Sequence, residues 1–222
     1  MEKQIQDERT TLLHDLKATF PSLFKRAVDA STPPIHDVKM EIVTMGYYKR
    51  PFPYRPPEVY YEQVKKRIDE MIDEGVLSVS SSPYSSPMVC VPKKDGTLRL
   101  CTDFRNLNDI TVPDRYVMPR SDEIKRSIKG FVFSTIDLKE GFNQVPITEH
   151  DIPKTAMATP WGLYEYTRMP FGLKNAPTVF QRYISFVLHG LSNTAAYIDD
   201  IIIYSQDVSS HKQHLYLSLI HI

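Results

Sequence analysis

The sequence predicts an α+β fold, and three observations carry that expectation. Apolar residues recur at helical spacing over 58–74, 121–129 and 176–190. Short runs rich in β-branched and aromatic residues fill 131–138 and 194–204. An Asp95-Gly96 pair joins two further apolar runs as a hairpin. With 222 residues, 41% of them apolar, the chain can bury the core of one large domain or two interlocked ones. Its formal net charge is zero, so any hold on a polyanion must come from local basic surface and bound cations. The two cysteines, Cys90 and Cys101, lie outside any paired zinc-ligand spacing and are read as reduced. No apolar run is long enough for a signal peptide or a membrane span, so an intracellular, cytoplasmic chain without membrane contact is expected.

The elements follow in order. Residues 4–20 place Ile5, Leu12, Leu13, Leu16 and Phe20 at helical spacing, a leader helix, and the proline- and aromatic-rich stretch 31–57 reads as an extended linker. Over 58–74, Tyr61, Val64, Ile68, Met71 and Ile72 recur at three and four, after Pro56-Pro57 and before Gly75. Residues 80–86 form a loop. If Asp95 and Gly96 are the central pair of the next hairpin, Cys90 faces Cys101, and a disulfide is within reach; the intracellular reading makes them two small buried apolar residues instead. Lys93, Lys94 and Arg99 crowd its tip, with Arg105 nearby, as either a solvated charged turn or a cationic tip for a triphosphate.

A helix capped by Ser121 runs to Lys129 before Gly130, and 131–138 then reads as a buried strand with Asp137 near its end. Two strands meet at Asp199-Asp200. In the segment at 211–215, His211 and His214 have metal-compatible spacing but no third ligand, and read as a solvated helix face.

A double aspartate is poor turn chemistry, because hairpin turns need positive φ at their central residues, and apolar flanks worsen the repulsion between adjacent carboxylates. A divalent cation removes that conflict. Mg²⁺ takes few carboxylates together with water and substrate phosphates, so two or three aspartates from two strand ends suit it. A second ion a few ångströms away would make this a phosphoryl-transfer centre. On the aspartate pair alone, an inert acidic hairpin tip stays open. A glycosidase fits worse, since its two carboxylates must stand about 5 Å apart or more, across a bond. Phe142, just after Gly141, is on its own more often core than site. In the Phe171-Gly172 loop, glycine permits close backbone approach to a flat base or sugar.

Four blocks, SSPYSSPMVCVPKKDGTLRLCTDFRNLN, FSTIDLKEGFNQVPI, KTAMATPWGLYEYTRMPFGLKNAPTVFQ and YIDDIIIYS, stand in the order and approximate spacing of one family. Over about residues 51–215 the chain resembles the reverse transcriptase in the Pol polyprotein of LTR retrotransposons of the Ty3/gypsy-like group. The resemblance implies a right-hand polymerase, with 51–112 and 144–175 as fingers, 113–143 and 176–222 as palm, and 1–50 as leader and linker. It implies RNA-directed DNA synthesis on an RNA or DNA template, adding deoxynucleotides to a primer with two Mg²⁺ ions, for which Mn²⁺ can substitute.

Residue by residue, the resemblance makes Asp137, Asp199 and Asp200 the metal ligands, joined by the Leu138 carbonyl. It gives Lys93 or Lys94 and Arg99 the triphosphate, Phe142 the gate against ribonucleotides, and Phe171-Gly172 the loop on nucleotide and template. Tyr197 and Ile198 fall at the primer end, and Arg105 at the template. Between 93 and 129, nine basic side chains stand against six acidic ones, compatible with a nucleic-acid groove. Family members continue past the histidine-rich segment into a thumb, a connection and usually an RNase H domain, whereas YLSLIHI departs from that continuation. A truncated or mis-assembled reading frame is therefore expected, and a remnant that only binds nucleic acid is the alternative function.

Overall fold

The computed structural model describes residues 2–24, 38–93 and 96–221, with the side chains of 2–8 excepted. Two compact units emerge, each assembled from separated stretches of chain. One gathers the N-terminal helix, Pro119–Leu138 and the chain from Ile184 onward; the other gathers the described residues up to Met118 with Lys139–Tyr183. Part of the expected linker, Lys94 and Asp95 lie outside the described residues.

The second unit is built on a five-stranded mixed sheet. Helix α2 (Tyr61–Asp73) follows a single 3₁₀ turn and buries Val64, Ile68 and Met71 on one face, each contributing about 1.5–3 kcal/mol by leaving water. Gly75, at φ 70, ends it. Strands β1 (Leu77–Val79), β2 (Ser86–Pro92), β3 (Leu98–Thr102), β5 (Met157–Thr159) and β6 (Gly162–Tyr166) assemble in the order β1-β6-β5-β2-β3. The β2–β5 pair is parallel and its neighbours antiparallel. Helix α3 (Arg105–Ile110) adds Leu107 to a core with Phe104, Val145 and Met169. Tyr166 is buried there and hydrogen-bonded to Thr102 at 3.0 Å; burial pushes its hydroxyl up to about 12.

The β2–β3 hairpin corrects one expectation. Its register pairs Val89 with Cys101 and Cys90 with Leu100, one residue away from a central Asp95-Gly96 pair. Lys93 N–H donates to the Thr97 carbonyl, and Gly96 takes φ 80 while donating to the Lys93 carbonyl, so the loop is longer than a two-residue turn. A one-residue slip flips every side chain, which puts the two cysteines on opposite faces, where both are free and half-exposed rather than buried.

A buried carboxylate ties residues 40–45 to this unit. Asp151 Oδ2 accepts the Ile42 N–H at 2.8 Å and the Thr148 hydroxyl at 2.7 Å. Lys154 Nζ stands 2.6 Å from Oδ1 as an ionic contact, without hydrogen-bond geometry at that atom, and donates to the Ile42 carbonyl at 2.6 Å. Burial pushes the Asp151 carboxyl up, but these partners outweigh it and hold it below the ordinary range.

The first unit holds an antiparallel sheet of order β4-β8-β7, from β4 (Val132–Asp137), β7 (Thr194–Tyr197) and β8 (Asp200–Ser205). Strand β4 alternates between half-buried and exposed positions instead of being buried throughout, as befits an edge strand. Helix α4 (Ser121–Ser127) begins one residue earlier than expected: Arg120 is the cap and Ser121 the first helical residue, with Glu123 Oε2 accepting the Arg120 N–H at 3.0 Å. Gly130 fits against β8 so closely that a Cβ there would lie 2.4 Å from the Ser205 carbonyl oxygen. Helix α1 (Glu2–Thr19) leads to Phe20, whose ring meets Tyr216 of α6 (Val208–His221) at 5.7 Å.

His211 also departs from expectation. Only 4% exposed, it faces Ser134 Oγ of β4 at 2.8 Å and Ser205 Oγ of β8 at 2.9 Å. Ser205 Oγ reaches His214 at 2.8 Å, and Asn193 Nδ2 closes the network. Burial, then the neighbouring His214, hold the His211 imidazole below the ordinary histidine value.

Two outcomes follow for stability. Asp151→Ala leaves the partly buried Lys154 ammonium without its counter-charge and the Ile42 N–H without its acceptor, and should cost about 3–5 kcal/mol in urea unfolding. A loss below about 1 kcal/mol would contradict the ion-pair reading. For His211, a depressed folded pKa means the unfolded chain takes the proton first as pH falls. Its stabilisation is complete above the unfolded value near 6.5 and drains away as pH falls through the lower folded value. The thermal midpoint of the native chain should thus drop more between pH 7.5 and pH 5 than that of His211→Gln; equal slopes would rule the network out as the cause.

Candidate functional site

The three aspartates come together through strand register. In the β4–β8 ladder the last pair is Asp137 with Asp200, and in the β7–β8 ladder it is Tyr197 with Asp200. Tyr197, Asp200 and Asp137 therefore form one row across three strands at the end of the sheet. Directly paired residues emerge on the same face, with about 4.5–5.5 Å between α-carbons. Asp137 and Asp200 are exposed, and no described lysine or arginine pairs with any of the three aspartates.

The turn differs from the expected one. Its two central residues are Ile198 and Asp199, and Asp200 already belongs to β8. Ile198 takes φ 55, a left-handed conformation in which a β-branched side chain clashes with its own backbone. Strain of this kind costs of order 1–3 kcal/mol and persists where surrounding structure over-determines it. Here the paired strands on both sides fix the turn, and the Leu138 N–H reaches the Asp199 carbonyl at 3.4 Å. Among the described residues, no three His, Cys, Asp or Glu side chains converge into a ready-made metal cage. The donor set still fits Mg²⁺, which takes one or two carboxylates and leaves its other positions to water and phosphate oxygens. Asp137 and Asp200 supply such a pair, with Asp199 in the adjoining turn.

In the other unit, a stacked aromatic cluster holds Phe142. A single 3₁₀ turn, Gly141–Gln144, carries it, and the preceding residue, Glu140, takes φ 49. The left-handed residue is thus Glu140, whereas Gly141 is the one expected to allow the tight backbone. Arg67 of α2 holds the Glu140 carboxylate at 2.9 Å while also reaching Glu70 and Glu74. Phe142 is 7% exposed, stacked on Phe171 at 4.7 Å and 24°, and tilted against Phe180 at 5.2 Å. Phe171 is 53% exposed, so the stack continues to the surface.

Gly172 takes φ 95, and its carbonyl accepts a hydrogen bond from Asn108 Nδ2 at 2.8 Å. Asn108 Oδ1 in turn accepts the Lys174 N–H at 2.8 Å. Asn175 spans the neighbouring stretch, donating to the Val112 carbonyl and accepting the Asp114 N–H. These two asparagines position the Phe171-Gly172 loop, and sequence reasoning passed over both. Their partners lie some sixty residues away, and the only local signal was Asn175 itself, just after the predicted loop.

The remaining candidates are dispersed. Lys93 and Arg99 are exposed on the β2–β3 hairpin, and Lys94 lies outside the described residues. Arg105 opens α3 with its guanidinium forked on Asp103, at 2.9 Å from Nε to Oδ1 and 2.6 Å from the terminal nitrogen to Oδ2. Hydrogen bonding to Arg105 holds the Asp103 carboxyl down, and the same contact raises the guanidinium. The pair is neutral overall, so Arg105 offers phosphate little net charge.

The model of the reverse transcriptase (RNA-dependent DNA polymerase) family matches residues 91–219. The Pol polyprotein of transposon opus from Drosophila melanogaster is 38% identical over 224 residues, 96% of this chain and 22% of that protein. That of transposon gypsy from the same species is 39% identical over 161 residues, 68% of this chain and 16% of that protein. The enzymatic polyprotein of Cauliflower mosaic virus (strain Strasbourg) is 34% identical over 188 residues, 82% of this chain and 27% of that protein. The chain thus spans about a quarter or less of these relatives.

Among solved structures, native prototype foamy virus protease-reverse transcriptase superimposes with a TM-score of 0.84 at 26% identity, over 97% of this chain and 29% of that one. A foamy viral protease-reverse transcriptase in complex with dsDNA gives 0.80 at 25% identity, over 96% of this chain and 45% of that one. Among the described residues no helix is long and apolar enough to cross a membrane. The row of carboxylates at the end of a three-stranded sheet, the family match and the relatives together lead to one conclusion: this chain belongs to the reverse transcriptase family, in the form carried by the Pol polyproteins of LTR retrotransposons.

Proposed function

We propose that this chain carries the nucleotidyl-transfer centre of an RNA-directed DNA polymerase, which adds deoxynucleotides to the 3′-hydroxyl of a primer paired to an RNA or DNA template. The observation that carries this reading is the register pairing of Asp137 with Asp200 beside the strained Ile198-Asp199 turn. Asp137 and Asp200 present carboxylate oxygens on one face of a fixed ladder, and Asp199 stands in the adjoining turn, in place for Mg²⁺. When bound, Mg²⁺ would make the primer hydroxyl a better nucleophile and stabilise charge on the transferring phosphate and the leaving pyrophosphate.

Selection and binding are assigned to Phe142, the Phe171-Gly172 loop and the basic residues of the β2–β3 hairpin. The ring of Phe142, locked between Phe171 and Phe180, is a rigid wall against which a 2′-hydroxyl would clash. The Phe171-Gly172 loop, fixed through Asn108, offers a ring half in solvent for contact with a flat base or sugar. Lys93, Lys94 and Arg99 are assigned to the triphosphate, Tyr197 and Ile198 to the primer end, and Arg105, whose charge is already paired, to a positional template contact. Template and primer would be held through sugar and phosphate, since a copying enzyme must accept every sequence. Fingers and palm are assigned as the resemblance implies, and the remaining Pol domains would complete the enzyme in a full-length element, working in the cytoplasm or in particles.

Two substitutions test this reading by primer extension on an RNA template with Mg²⁺, in the chain alone and in the full reading frame. Asp199→Asn should lower extension by at least about 10²–10³-fold while leaving the thermal midpoint nearly unchanged. Undiminished extension would remove the aspartates from the chemistry. Phe142→Val should raise ribonucleotide incorporation relative to deoxynucleotide by about tenfold or more, and a variant that still rejects ribonucleotides would free Phe142 of the gating role.

A further inference from the structure

A left-handed residue stands where the sequence offers a better one. Glu140 takes φ 49 and ψ 39, although Gly141, which has no Cβ to clash in that conformation, follows it directly. Gly141 instead opens the 3₁₀ turn Gly141–Gln144, in which the Asn143 N–H donates to the Glu140 carbonyl at 2.8 Å and the Val145 N–H to the Phe142 carbonyl at 3.1 Å. Moving the left-handed conformation one residue on, to Gly141, would relieve the strain and swing the next side chain, Phe142, out of its stack. The observed arrangement therefore needs an anchor on Glu140 itself.

That anchor comes from α2. Arg67 uses its two terminal nitrogens differently: Nη1 reaches Glu70 at 3.3 Å and Glu74 at 3.4 Å, on its own helix and the helix cap, whereas Nη2 donates to Glu140 Oε1 at 2.9 Å. The two near neighbours orient the planar guanidinium and leave one edge of it to face Glu140. The side chains of Arg67 and Glu140 are 29% and 32% exposed, so the contact is partly shielded from the screening that leaves most surface pairs ineffective.

Both ends of the contact sit on one frame. Thr167 holds the end of α2, with its hydroxyl on the Gly75 carbonyl at 2.5 Å and its N–H on the Val76 carbonyl at 3.0 Å. The same stretch holds the chain that leaves the turn, since the Ile147 N–H donates to the Thr167 carbonyl at 3.0 Å and the Met169 N–H to the Val145 carbonyl at 2.8 Å. Helix and turn are thus fixed to each other, Arg67 cannot follow Glu140 if the turn rolls over, and the shift to Gly141 would break the ion pair. We infer that Arg67 is a positioning residue: through Glu140 it fixes the turn that seats the Phe142 ring between Phe171 and Phe180, and with that ring the discrimination against ribonucleotides. The last step rests on the proposed gating role of Phe142, and the experiment separates the two.

The test reads ring position and sugar selection separately. In this chain, 4-fluorophenylalanine replaces Phe142 and its fluorine NMR resonance reports on the stack. In the full reading frame, without the label, incorporation of ribonucleotides relative to deoxynucleotides is measured by primer extension. Arg67→Ala should shift the resonance toward its position in urea and raise the ribonucleotide ratio about fivefold or more. Glu140→Ala, a gentler change because Arg67 keeps Glu70 and Glu74, should do the same. Adding Glu140→Gly to Arg67→Ala should return the resonance to its native position and the ratio to within about twofold of native, because glycine takes the left-handed conformation without an anchor. A role confined to steadying α2 would show no such rescue. A native resonance in both alanine variants would overturn the inference, as would the failure of glycine to restore it. If Phe142→Val still rejects ribonucleotides while the resonance moves and returns as expected, the gate falls and the positioning stands.

Discussion

The proposed chemistry depends on one register. Strand β8 lies between β4 and β7, and its first residue, Asp200, closes both ladders at once, opposite Asp137 on one side and Tyr197 on the other. Because side chains alternate with a period of two, a slip of a single residue would send the Asp200 carboxylate to the face away from Asp137. That register is held from several directions. Ile201 and Ile203 are fully buried, Gly130 admits β8 at a distance no other residue would allow, and Ser205 is bound to His211 at the opposite end of the strand. The buried histidine network thus steadies, from the far end, the same strand that begins with a catalytic candidate.

The turn between β7 and β8 carries the cost of this arrangement. Hairpins of this length favour Asn-Gly or glycine pairs, and Ile198-Asp199 supplies neither. An isoleucine at φ 55 and acidic side chains without cationic partners are each unfavourable for folding, and both occur within three residues. Local rules broken together at one place mark a site kept for chemistry. The other unit shows a milder form of the same thing. Glu140 takes a left-handed backbone conformation, tied down by Arg67, just before the turn that presents Phe142.

Much of this was legible in the sequence, for identifiable reasons. Helix α2 follows from periodicity, which reports burial directly, and the strands of both hairpins from short apolar runs that meet at turns. What failed were features set by distant partners or by loop length. The β2–β3 register depended on how many residues the turn takes up, so Cys90 and Cys101 came out on opposite faces. Phe133 and Thr135 read as core because β-branched and aromatic residues favour strands, yet β4 is an edge strand and leaves both exposed. His211 looked solvated because its partners, Ser134 and Ser205, lie on strands that no helical pattern could bring to it. The nearness of the three aspartates was readable from the two strand motifs, whereas the stacking of Phe142 on Phe171 was not. The supports, Asn108, Asn175 and Arg67, were not, since each acts through a long-range contact.

The central claim is that Asp137 and Asp200 act as a pair on one divalent ion, and Mn²⁺ can report on it without catalysis. Electron paramagnetic resonance of free Mn²⁺ titrated with the native chain, Asp137→Asn and Asp200→Asn measures binding directly. The paired-carboxylate account expects saturable binding by the native chain, weakened at least tenfold by either substitution alone, because each removes half of the same donor set. Native-like binding by both variants would contradict it, and would leave the carboxylate row as an acidic edge of the sheet.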